Sequence, residues 1–116
     1  MGKSLIDVQT RRAPDALLID VKGQVDLFSS PKLRSAILSA LNTGQVSRVA
    51  INMHEVTYMD SSGVASLVEG LQLARTKKCL FLLFGLQQAA KQVLELARLD
   101  KIFTIRATES EALADQ

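Results

Sequence analysis

The chain has 116 residues, 47% of them hydrophobic and 22% charged, with a formal net charge of +2. This is the size of one domain and the make-up of an ordinary globular protein. A single cysteine (Cys79) and a single histidine (His54) exclude an intramolecular disulfide, a cysteine metal cluster and a two-histidine zinc site within one chain. Five aromatic residues, no tryptophan, and 14 basic against 12 acidic residues supply neither a stacking platform nor the basic footprint of a nucleic-acid binder. The segment Met1–Val8 lacks the apolar stretch of a signal peptide. Ile6 stands where a myristoylation motif needs Ser or Thr. No apolar run approaches membrane-spanning length, so direct membrane insertion is not expected and a cytoplasmic location is.

The elements follow from periodicity. Residues 5–10 and 16–22 read as strands, the second with Leu17, Ile19 and Val21 alternating against Leu18, Asp20 and Lys22. Residues 11–15 read as the turn of an antiparallel hairpin, and Gly23 as the end of the second strand. Ser30 followed by Pro31 predicts a helix start. That helix runs to about Asn42 with Leu33, Ala36, Ile37, Ala40 and Leu41 on one stripe, and Gly44 as its stop. A third strand is expected over Arg48–Met53, then a turn. A helix follows over about Ser62–Lys77, with a core stripe of Val64, Leu67, Val68, Leu71 and Ala74. Cys79–Phe84 is apolar throughout, as in a strand covered on both faces. A third helix is expected over about Gln87–Ala97, with Ala90, Val93, Leu94 and Ala97 inward. A short strand near Phe103–Arg106 and a small helix near Glu109–Ala114 end the chain. The expectation is one α/β domain over residues 1–116, with an antiparallel hairpin, then alternating strands and helices, and a mixed sheet covered by helices.

Most motif fragments fail on inspection. His54-Glu55 starts a zincin-like motif, but Tyr58 occupies the position of the second histidine. Gly2-Lys3-Ser4 has no upstream glycine or strand to make a phosphate loop. Cys79 opens a buried strand and reads as a small hydrophobe. Two stretches remain. Asp60-Ser61-Ser62-Gly63 lies between a strand and a helix, where open α/β sheets place their sites. One cap needs only one of these polar side chains, although capping alone is a sufficient reading. The helix face opposite the core stripe is Ser62, Ser66, Glu69 and Leu73, and a leucine there suits a contact surface. Asp26, in the loop after the second strand, is either a turn residue or a second carboxylate at the same sheet edge. No imidazole base, oxyanion hole or metal-ligand set accompanies these groups, so hydrolysis through Ser61 is disfavoured and no cofactor is expected.

At these residues the sequence resembles the STAS domain family, in particular the bacterial anti-sigma-factor antagonists. The resemblance rests on Gly23-Gln24-Val25-Asp26 with its Ser/Pro-started helix, and on Val56-Thr57-Tyr58-Met59-Asp60-Ser61-Ser62-Gly63-Val64. It continues in Gly85-Leu86 leading into Val93-Leu94-Glu95-Leu96, then Leu99 and Phe103, and covers about residues 5–113. It implies that a GHKL-type serine kinase, itself the anti-sigma factor, phosphorylates Ser61. The unmodified form then binds the kinase and frees its target, and a serine phosphatase resets the switch. Asp26 and Asp60 border that site. Phosphate on Ser61 is expected at a helix N-terminus, whose free N–H groups suit an anion. A second implied reading is a STAS subunit of an ABC-type lipid or solute transporter, docking on its ATPase through the same helix face. Nucleotide binding, reported for some family members, finds no phosphate loop here.

Overall fold

The structure is a computed structural model and describes residues 6–114. Gly2, Lys3, Ser4 and residue 5 of the first expected strand lie outside the described residues. Strand β1 (Ile6–Ala13) and strand β2 (Ala16–Val25) form the hairpin. Its turn is only Pro14-Asp15, with Asp15 at φ 56°. The five-residue turn expected from the sequence is shorter because Arg11 and Arg12 pair with Leu18 and Leu17 and continue the ladder. Helix α1 (Ser30–Thr43), strand β3 (Arg48–Met59), helix α2 (Ser61–Thr76), strand β4 (Leu80–Phe84), helix α3 (Gln88–Leu96), strand β5 (Thr104–Arg106) and helix α4 (Glu109–Ala114) follow.

The five strands lie in sequence order, β1-β2-β3-β4-β5. Only the β1–β2 pair is antiparallel; β2–β3, β3–β4 and β4–β5 are parallel. This is the mixed sheet expected. Alternation along the strands decides which helix packs where. Leu17, Ile19, Val21, Val49, Ile51, Met53, Phe81 and Leu83 face a core shared with Leu33 and Ile37 of α1, Leu67 and Leu71 of α2, and Ala90 and Leu94 of α3. Leu18, Ala50, Leu82 and Phe84 face the other way and are met by Ala112 of α4. Leu33, Ile37, Leu67 and Leu94 are fully buried, each worth about 1.5–3 kcal/mol relative to exposure.

Four expectations need correction. Strand β3 runs six residues past Met53, where a turn was expected. The pairing of β2 with β3 shifts twice, between Asp20 and Lys22 and between Gly23 and Gln24. Each shift places an extra residue in β3, which breaks the alternation that marks a strand. Gly23 does not end β2. Its φ of 111° is open to glycine at little cost and carries the chain through the irregular pairing to Val25. Ala97 lies just beyond α3 and is exposed, because the helix ends one residue earlier. The N-cap position of the first helix is Ser29 rather than Ser30, without a side-chain capping bond to the helix, and Pro31 lies in its first turn as expected.

Candidate functional site

The parallel register of β2 and β3 places Val25 beside Met59, and the Asp60 amide donates to the Val25 carbonyl at 3.1 Å. Asp26 and Asp60 therefore leave the sheet side by side at one edge, the edge where α1 and α2 begin.

Asp60 is the N-cap of α2, with extended backbone (φ −110°, ψ −169°). Its Oδ1 accepts the Ser62 amide at 2.9 Å and the Ser62 hydroxyl at 2.7 Å. The Ser62 hydroxyl is the main cause that holds the Asp60 carboxyl below the usual carboxylate range, with the Ser62 and Gly63 amides adding to it and partial burial opposing it. Asp60 is thus a full negative charge at neutral pH, seated where the helix dipole favours one.

The two serines are therefore not equivalent. Ser62 is half-buried and its hydroxyl is spent on Asp60. Ser61 is exposed, and among the described residues nothing hydrogen-bonds its hydroxyl. Of the first-turn amides, that of Ser62 is already taken by Asp60. A phosphate on Ser61 would share the first turn of α2 with that carboxylate.

Gly63 is buried. A Cβ there would lie 2.6 Å from Met59 Cγ and 2.8 Å from Val25 Cγ1. Its lack of a side chain lets the first turn of α2 sit on the ends of β2 and β3 and carries Ser61 with it. Gly63 thus shapes the site from beneath and presents no surface.

The helix face expected to be wet is only partly so. Ser66 is buried at 5% exposure and donates to the Ser62 carbonyl at 3.2 Å. Leu73 is half-buried and packs on the main core. Glu69 is engaged with Arg34 of α1 through two bonds of 2.7 Å, which lower the Glu69 carboxyl. The reason is that α2 packs on α1 as well as on the sheet, so its buried arc is wider than one stripe. Ser61, Ala65 and Gln72 are the positions exposed along it before its last turn.

Asp26 builds a turn. Its Oδ1 accepts the amides of Phe28 and Ser29, both at 3.0 Å. The Ser29 hydroxyl in return accepts the Asp26 amide at 2.9 Å and donates to the Gln24 carbonyl at 2.7 Å. Ser29 is 2% exposed and went unread in the sequence, although Asp and Ser are both residues whose side chains bond nearby backbone groups in turns. His54 is an exposed residue within β3, and Cys79, beside the core, has its thiol pushed up chiefly by burial. Among the described residues no cluster of three or more metal-ligating side chains occurs. No helix among them is long and apolar enough to cross a membrane.

An α/β domain whose exposed serine follows an aspartate cap at the edge of a mixed five-stranded sheet defines a class, and comparison with known proteins agrees. The chain belongs to the STAS domain family, whose model matches residues 7–112. The chain is 32% identical over 101 residues to the anti-sigma-B factor antagonist of Listeria monocytogenes, covering 86% of this chain and 87% of that protein. It is 22% identical over 102 residues to that of Bacillus subtilis, covering 88% and 92%. Among solved structures, an anti-sigma factor antagonist from Mycobacterium paratuberculosis superposes with a TM-score of 0.84 at 21% identity, over 93% of this chain and 91% of that one. The anti-sigma factor antagonist SpoIIAA in its unphosphorylated form gives 0.79 at 22% identity, over 92% and 93%. These relatives are antagonists of anti-sigma factors by name, which does not favour the transporter-subunit expectation.

Proposed function

We propose that this chain, acting as one domain over residues 1–116, is an anti-sigma-factor antagonist. Its unmodified form binds a GHKL-type serine kinase that is also the anti-sigma factor, and phosphorylation of Ser61 weakens that binding. A serine phosphatase restores the unmodified form, and the exchange takes place in the cytoplasm. The observation that carries the reading is the contrast between the two serines: Ser61 offers an exposed, unbonded hydroxyl, while Ser62 is committed to Asp60. A kinase needs an acceptor oxygen it can reach without first breaking a helix cap.

The switch is electrostatic. Phosphate adds about −1.5 to −2 charges at neutral pH, next to an Asp60 carboxylate that is already ionised. Repulsion and desolvation at a docked surface then oppose binding, and a loss of ~3 kcal/mol lowers affinity about a hundredfold. No catalytic group is required of the domain itself, and the reading assigns it no enzymatic activity. Asp26, Asp60 and Ser61 border the docking surface. Ser62, Gly63 and Ser66 hold its first helical turns in place, and Glu69 and Leu73 fix α2 against its neighbours.

The test is intact-mass analysis with fragment mapping after incubation with ATP and each purified GHKL-type serine kinase of the source genome. One phosphate is expected, on Ser61, and none on a Ser61→Ala variant. Phosphate elsewhere, or none with any of the kinases, overturns the assignment. Ser61→Asp is expected to weaken kinase binding while Ser61→Ala preserves it, measured by calorimetry.

A further inference from the structure

We infer that the docking surface around Ser61 carries an apolar anchor, Phe28 with Leu27, which inserts into an apolar recess of the partner kinase, and that Asp26 acts as the positioning residue that holds this anchor out. The inference rests on the proposed function above and adds the part of the surface that supplies affinity rather than the switch. Phe28 is 89% exposed and Leu27 69%, side by side at the tip of the loop between β2 and α1. Single exposed apolar residues are common and need no explanation. Here the backbone beneath them is fixed: the Phe28 and Ser29 amides bind one oxygen of Asp26, and Ser29 ties the loop back to Gln24. An aromatic side chain held on a rigid turn loses little conformational freedom on binding, which is the property of interface anchors.

Its place identifies the occupant. The Asp60 amide bonds the Val25 carbonyl, and Phe28 is three residues beyond Val25. Chain geometry keeps it within about 15 Å of Ser61. A standard interface covers about 800 Å² on each partner, a patch of about 16 Å radius. An interface of that size centred on the Ser61 hydroxyl, to which the kinase must bring its bound nucleotide, reaches Phe28 as well. Tyr58, 47% exposed and paired with Gln24, flanks the same edge. An aromatic residue buried in a recess of the partner supplies binding energy that phosphate charge does not remove directly. The serine then governs release while the loop governs grip.

The experiment is calorimetric titration of each purified GHKL-type serine kinase of the source genome with wild type, Phe28→Ala, Asp26→Asn and Asp26→Ala. Circular dichroism melting of each variant accompanies it. Asparagine keeps an oxygen that accepts both amides but carries no charge. For the kinase that binds wild type, Phe28→Ala is expected to weaken binding at least tenfold with an unchanged melting midpoint. Asp26→Asn is expected to stay within threefold of wild type, and Asp26→Ala to weaken binding clearly. Undiminished affinity of Phe28→Ala overturns the anchor and leaves the proposed function standing. An Asp26→Asn variant as weak as Asp26→Ala overturns the positioning role, because the partner then reads the charge itself. If sedimentation shows wild type self-associating through Phe28 while kinase affinity ignores it, the patch belongs to a second copy and the inference fails. Binding of wild type to none of the kinases overturns the proposed function, and this inference with it.

Discussion

Asp60 couples two properties at one carboxylate: it caps α2 and it charges the rim of the Ser61 site. Because hydrogen bonds hold its carboxyl below the ordinary range in the folded state, the unfolded chain binds a proton more readily as the pH falls. The stabilisation is complete above the ordinary carboxylate value and is lost as pH drops through the lowered folded value. Asp20, held down by Arg11 and Asn52, contributes with the same sign. Urea unfolding midpoints are therefore expected to fall between about pH 5 and pH 3. Asp60→Asn should flatten part of that decline, since asparagine caps as well as aspartate but does not titrate there. A decline as steep in Asp60→Asn as in wild type would count against this role. Ser62→Ala removes the hydroxyl that donates to Asp60 and is expected to cost about 0.5–1 kcal/mol, the low end for a hydrogen bond at a solvated helix end. Phosphorylation at Ser61 should survive it, as intact-mass analysis can check.

At the scale of elements, helix α2 is decided by its two neighbours. Gly70 is buried, and a Cβ there would lie 2.7 Å from Ile37 Cγ2 and 2.8 Å from Phe81 Cζ. Gly70→Ala is expected to cost about 1–3 kcal/mol by overpacking, read as a lower urea midpoint. Helix α4 offers the opposite case. Arg11 reaches both Asp20 and Glu109, which raise its already high affinity for a proton. These groups remain 44%, 29% and 41% exposed in their side chains, and exposed ion pairs contribute little. Arg11→Ala should therefore lower stability by no more than about 1 kcal/mol, with α4 kept in place by the buried Ala112. The same elements show what could be read in advance. The stripe Val64, Leu67, Leu71 and Ala74 is buried as its spacing indicates. Ser66 and Leu73 were assigned to the wet side because one helix's periodicity reveals one buried arc. The second arc belongs to α1, and no local pattern in α2 records its approach.

For the whole molecule, charge and topology act together. A formal net charge of +2 is nearly cancelled by the ~2 negative charges of one phosphate. Native isoelectric focusing should then resolve the modified form as a distinctly more acidic band that Ser61→Ala never yields. What residue order determined by itself is local: the apolar periods, the Pro31 and Gly44 boundaries, the hairpin, and the Asp60-Ser61-Ser62-Gly63 loop on which the family resemblance rests. Those features depend on neighbours a few positions apart, where sterics, capping and alternation act. Only the tertiary structure decided that β3 runs on to Met59 through two irregular pairings. Only it decided that Asp26 and Asp60 emerge side by side, that Asp60 consumes the Ser62 hydroxyl and leaves that of Ser61 free, and that Ser66 is covered. Each of these depends on a strand or helix far away in sequence, and the pairing partner, not the residue's own neighbours, sets its exposure and its charge.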